Sequence, residues 1–192
     1  MGPQMESDGR GDGERKPACP VGRFPKEEIL KPMGFKETRS GESDSAASKW
    51  GHMEIVEYHT PLAGDLPAIN DLLRELNAGA SELTMERLKK ICAAPQMHLF
   101  IAYDAENIIG MATLEIGETM MGTQGYVHDI VVSSVYRGKG LGKMLMEKVI
   151  MEARKLAVRH VDLTSNPKRN TEKFYLSLGF VKRETDCYRK EL

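Results

Sequence analysis

The segment "VHDIVVSSVYRGKGLGKML", Val127–Leu145, constrains the fold more than any other part of the chain. An apolar, β-branched run reads as a strand. It ends in a turn with three glycines, and helical apolar spacing begins inside that turn. Gly138, Gly140 and Gly142 let a backbone adopt left-handed dihedrals and approach a ligand closely. The helix behind them begins with unpaired N–H groups and the positive end of its dipole. Arg137, Lys139 and Lys143 add positive charge. Together these features make an anion site, most naturally one for a pyrophosphate.

Spacing separates this turn from two common phosphate loops. A GxxxxGK[ST] loop needs glycine five residues before Gly142 and a hydroxyl after Lys143. The chain has Arg137 and Met144 there. A GxGxxG dinucleotide loop is matched by Gly138 and Gly140, but Lys143 stands where its third glycine belongs. The bland alternative is a glycine-rich connection that holds nothing.

The flanking pattern gives the fold class. "MEIVEYH" alternates as a strand. "GDLPAINDLLRELN" reads as a helix capped by Asp65, with Pro67 in its first turn and Ile69, Leu72, Leu73 and Leu76 on its apolar face. "TMERLKKICAA" is a second helix, capped by Thr84 and stopped by Pro95. "MHLFIAYD", "NIIGMATLEIG" and "GYVHDIVVSS" form an antiparallel meander joined by "DAEN" and "ETMMGTQ". Leu141, Leu145, Val149, Ala153 and Leu156 carry a long helix to about Ala157. "RHVDLTS" is a short strand, parallel to the one before the helix because a crossover joins them. "TEKFYLSLGF" is a last helix closed by Gly179, and "VKRET" and "CYRKEL" are expected to end the chain as strands. The order β-α-α-β-β-β-α-β-α-β(-β) is an α+β layout with a mixed central sheet.

Residues 1–52 differ. They are rich in Gly, Pro, Ser and charge, and too poor in apolar residues to offset chain entropy. They read as a disordered or extension-like arm, with at most a turn of helix at "PKEEIL". "GHM", Gly51–Met53, has the look of a junction, and the folded domain is expected over 53–192.

Composition narrows the function classes. The 192 residues carry a net charge of −1, which disfavours a broad nucleic-acid-binding surface. No run approaches the ~18 apolar residues of a membrane span, and "MGPQME" lacks the hydroxyl residue of a myristoylation site. The three cysteines, Cys19, Cys92 and Cys187, are scattered and form no metal-binding pair. A cytoplasmic protein with reduced thiols, no metal, no nucleic acid and no membrane partner is the expectation. A homodimer is left open.

Arg137, Gly140 and Gly142 also satisfy R-x-x-G-x-G. With "HVDLTS" and "FYLSLGF" downstream in the same order, the chain resembles the GCN5-related N-acetyltransferases, the GNAT family, over roughly Met53–Leu192. The resemblance implies a GNAT-type sheet and acetyl-CoA as co-substrate. It implies that the turn Arg137–Lys143, including Leu141, holds the pyrophosphate. Backbone groups of Ile130, Val131 and Val132 would pair with the pantetheine arm, and an N–H near Ile130 would polarise the thioester. Tyr175 matches the family's acid for the departing thiolate; the alternative is a half-buried core tyrosine. Asn170 is the expected loop contact to CoA, where many relatives carry Asn at the position of Lys168.

Direct transfer to an amine needs a neutral amine, a polarised carbonyl and a proton for the thiolate, with proximity supplying much of the acceleration. His128 and Asp129 are candidate bases. In a regular strand they would face opposite sides of the sheet, and His128 could equally be a sheet-surface histidine. The acceptor is expected to be a small amine, an amino-sugar phosphate or a peptide amine. A non-catalytic acyl-CoA-binding regulator on the same fold is the competing reading.

Overall fold

The computed structural model describes residues 53–192, and the expectations for residues 1–52 lie outside it. Strand β1 (Met53–Glu57) leads into helices α1 (Leu66–Leu76) and α2 (Met85–Ala93). Strands β2 (Met97–Asp104), β3 (Asn107–Thr119) and β4 (Gly122–Val132) follow. Helix α3 (Leu141–Lys155), strand β5 (Val161–Leu163) and helix α4 (Glu172–Ser177) complete the regular structure. The sheet order is β1-β2-β3-β4-β5, antiparallel except for the β4–β5 pair. The α+β class, the meander and the parallel crossover are therefore present as expected.

The two faces of the sheet carry two apolar clusters. On one face α3 buries Leu141, Leu145, Met146, Val149 and Ala153 against Phe100, Ala112, Leu114 and Val127. On the other, α1 and α2 set Ile69, Leu72 and Leu88 against Leu99, Ile101, Met111 and Val131. Spacing identified most of the α3 face. Leu156, placed on it, lies past the helix end and is 39 % exposed, whereas Met146 at the next helical position is fully buried.

Caps differ in kind. Thr84 Oγ1 accepts from the Arg87 amide at 3.2 Å, as an N-cap should. Asp65 makes no such bond, because its carboxylate accepts the Tyr58 hydroxyl at 2.7 Å. That tyrosine is buried, and burial first, then the neighbouring Asp65, pushes its phenol well above the usual range. Asn70 is the buried polar anchor of α1. Its amide donates to Leu83 O at 3.0 Å and accepts from Leu83 N at 2.7 Å, fixing the loop into α2.

The C-terminal segment departs from expectation. After Gly179, at φ 83°, "VKRET" and "CYRKEL" pair with no strand. Their alternation carries few apolar groups, and Val181 and Tyr188 are 81 % and 88 % exposed, so no buried face holds them to the sheet.

Candidate active site

The glycine turn lies where β4 hands over to α3. A 3-10 turn, Ser134–Tyr136, reverses the chain, and Gly138 and Gly140 follow at φ 74° and 89°. A β-carbon at either position would meet nothing within 4 Å, so left-handed geometry, rather than crowding, demands glycine there. Gly140 caps α3, its carbonyl accepting from Met144 N at 3.1 Å. Gly142 sits inside the first helical turn, where a β-carbon would touch the Phe174 ring at 3.5 Å. The amides of Leu141, Gly142 and Lys143 open the helix without intrahelical partners.

The cations of the turn divide. Lys139 lies over the Tyr136 ring, 4.9 Å from its centroid, and Tyr136 donates to Asp104 at 2.7 Å. Lys143 is exposed, with Glu147 at 3.7 Å. Arg137 is engaged. Its Nη2 donates to Glu75 at 2.7 Å and its Nε to Val132 O at 3.0 Å. An open, left-handed turn with free helix-start amides and two available lysines fits a pyrophosphate.

Beside this turn the sheet splays. Strand β5 pairs with β4 only at Gly125, Tyr126 and Val127. Asp129 then adopts φ 49° at a bulge, where the register with β3 jumps between Met111–Val131 and Thr113–His128. Beyond the bulge β4 pairs with no strand on its β5 side among the described residues. Ser133 N donates to Ile109 O, so the alternating ladder turns Val131 toward β3 and the backbone of Ile130 and Val132 toward the open edge. The predicted strand contacts thus separate: Ile130 and Val132 border the cleft, while Val131 serves the ladder and the α1–α2 core.

The bulge also changes the expected geometry of His128 and Asp129. The strand is not regular there, and His128 shares the α1–α2 face with Val131, three residues on. Asp129 is exposed at the bulge itself. His128 Nε2 lies 2.8 Å from Glu115 Oε2 on β3, and its ring stacks obliquely on Tyr126 at 4.7 Å. A cavity of about 330 Å³ opens on this face, lined by Glu115, Gln124, Tyr126, His128 and Asp162, among others. Sequence reasoning missed Glu115, Tyr126 and Asp162. Each is an ordinary polar residue of an alternating strand, and only the register brings them to one pocket.

On the other side of the splay, α4 carries Tyr175, half-buried between Phe174 at 5.0 Å and Phe180 at 6.0 Å. Burial raises its phenol above the ordinary value of 10.0, Arg169 opposes this in part, and no hydrogen bond contributes. Asn170 is exposed in the left-handed conformation, φ 52°, at the end of the turn Pro167–Arg169. Arg169 reaches across to donate to the Leu76 carbonyl at the end of α1. Among the described residues there is no cluster of side chains suited to a metal ion.

The mixed sheet with a glycine-rich turn between β4 and α3 is a fold shared with solved acetyltransferases. Residues 66–180 match the family model described as Acetyltransferase (GNAT) family, and the chain belongs to that family. A probable glucosamine 6-phosphate N-acetyltransferase of Drosophila melanogaster is 38 % identical over 77 residues. That match covers 38 % of this chain and only 34 % of the relative. A Trypanosoma brucei acetyltransferase is 26 % identical with a TM-score of 0.61, covering 73 % of this chain and 99 % of that one. An aminoglycoside N-acetyltransferase in complex with CoA shares the fold at 20 % identity and a TM-score of 0.61, over 73 % of this chain and 95 % of that one.

Proposed function

We propose that the chain is an N-acetyltransferase that moves an acetyl group from acetyl-CoA to an amine within a ternary complex. The observation that carries this reading is the left-handed Gly138–Gly140 turn set at the mouth of the β4–β5 splay. The turn would hold the pyrophosphate on the amides of Leu141, Gly142 and Lys143, with Lys139 and Lys143 as counter-charges. The pantetheine arm would lie along the open edge of β4, bonding the backbone of Ile130 and the N–H of Val132, whose carbonyl is held by Arg137. That fit agrees with the CoA in the name of the aminoglycoside-modifying neighbour.

The chemistry follows from that placement. The thioester oxygen meets the outward N–H of Ile130, which offsets the charge developing there. The amine enters from the cavity on the α1–α2 face and attacks the carbonyl. His128 takes the amine proton, held by Glu115 on its other nitrogen. The C–S bond breaks, and Tyr175 protonates the thiolate. A phenol kept protonated by burial suits that role. Asn170 flanks the CoA side of the cleft, and Asp129, exposed at the bulge, is the alternative base.

The cavity also bears on the acceptor. Its lining holds Glu115 and Asp162 but no lysine or arginine. Arg183 offsets Asp162 from outside, at 2.9 Å, which leaves a mildly acidic pocket. A basic amine without phosphate suits it better than the amino-sugar phosphate in the name of the Drosophila relative. Among the described residues Cys92 and Cys187 are free thiols, which supports the proposed cytoplasmic setting.

Release of free CoA from acetyl-CoA tests the reading. Spermidine, an aminoglycoside and glucosamine 6-phosphate serve as acceptors. Turnover is expected with the first two and should fall sharply in Tyr175→Phe. CoA binding without turnover on any amine would instead favour a regulator that senses acyl-CoA. Preferential use of the sugar phosphate would overturn the charge argument.

A further inference from the structure

The best-organised carboxylate outside the cavity is Glu75, in the last turn of α1. Its Oε2 accepts from the backbone N–H of Ser134 at 2.8 Å and from Arg137 Nη2 at 2.7 Å. Its Oε1 accepts from Ser134 Oγ at 3.4 Å. Arg137 in turn donates through Nε to Val132 O at 3.0 Å. One carboxylate and one guanidinium thus join the end of α1, the end of β4 and the entrance to the glycine turn. Glu75 is the more sheltered partner, its side chain 29 % exposed against 55 % for Arg137. This connection spans 62 residues of sequence, so no local pattern announces it.

We propose that Glu75 is a positioning residue for the pyrophosphate turn, and that Arg137 acts through it as a clamp and not as a phosphate ligand. This role rests on the CoA binding proposed for the turn. The turn needs Gly138 and Gly140 in left-handed conformations, which glycine permits but does not enforce. Something outside the turn must therefore limit the conformations the loop explores. Tethers at Ser134 and Arg137 do this immediately upstream of Gly138. Two of the five guanidinium N–H groups are committed, one to the Glu75 carboxylate and one to the Val132 carbonyl, and these two bonds fix the orientation of the guanidinium between the end of α1 and the end of β4.

The two roles predict opposite signs. If Arg137 were a phosphate ligand held in check by Glu75, removing the carboxylate would free it and tighten CoA binding. If the pair is a clamp, the same change loosens the turn and weakens binding. CoA affinity is measured by titration calorimetry on the full chain, for wild type, Glu75→Gln, Arg137→Gln and the double variant. Each single change should weaken CoA binding about tenfold or more. The double variant should be no weaker than the worse single, because both remove one device. Tighter or unchanged binding in Glu75→Gln overturns the proposal, as do losses that multiply in the double variant.

Should Glu75→Gln fail to fold, Arg137→Lys decides alone. A lysine keeps the charge but cannot bridge Val132 O and Glu75 together, so the clamp predicts loss and a phosphate contact predicts retention. Absence of CoA binding by the wild-type chain sinks the transferase reading and the clamp with it. Wild-type binding with an undisturbed Glu75→Gln sinks only the clamp.

Discussion

His128 and Glu115 meet diagonally across the β3–β4 ladder at 2.8 Å, with His128 one strand position from the bulge at which the sheet begins to open. A carboxylate on Nε2 orients the imidazole and leaves Nδ1 as the nitrogen that can accept a proton. His128→Ala should lower kcat by about a hundredfold while leaving acetyl-CoA binding within about twofold, as general-base loss does. Glu115→Ala should lower kcat less, and should add little in the His128→Ala background. Steady-state kinetics on the best acceptor check this. If Asp129→Asn instead gives the larger loss, the exposed carboxylate is the base.

Tyr175 is the proposed proton donor to the thiolate. Tyr175→Phe keeps the ring contacts with Phe174 and Phe180 and should cost kcat about a hundredfold or more. Its pH behaviour has a definite sign. Burial raises the phenol, so it stays protonated and competent through pH 10, and the alkaline fall in kcat should lie above that value. The same shift makes stability depend on pH. The stabilisation is fully present below the unfolded value near 10 and is lost as pH rises through the folded one. Alkaline unfolding compared between wild type and Tyr175→Phe would show it.

Gly140 caps α3 at φ 89° with open space where a β-carbon would go. Gly140→Ala should therefore cost roughly 1–2 kcal/mol through backbone strain alone. Gly140→Asp adds a negative charge facing the proposed pyrophosphate and should abolish the rise in Tm that acetyl-CoA causes in the wild type. A Tm rise retained by Gly140→Asp would move the phosphate site elsewhere.

Asn70 is 3 % exposed, and both of its bonds go to the backbone of Leu83. Asn70→Ala strands the part-buried N–H and carbonyl of Leu83 and should destabilise the fold by about 2 kcal/mol in chemical denaturation. Asn70→Asp keeps the acceptor for Leu83 N and loses the donor to Leu83 O, so it should fall between. Equal stability of all three chains would show that the loop re-pairs with water.

By itself the sequence determined the local elements and the place of the glycine turn between β4 and α3. Periodicity located α1, α2, α3 and the meander, because one face of each must be apolar to be buried. Gly138 and Gly140 marked the turn, since left-handed backbone before a helix calls for glycine, and Arg137, Gly140 and Gly142 carried the resemblance to the family. What depends on register was decided only in three dimensions. The bulge at Asp129 set His128 on the face of Val131, against the alternation of a regular strand. Glu115, Tyr126 and Asp162 met His128 only because three strands align, and Glu75 reached Arg137 across 62 residues. The C-terminal strands failed to form because alternation without an apolar face supplies no burial to hold them. A single strand records which residues alternate; its neighbours decide which of them touch.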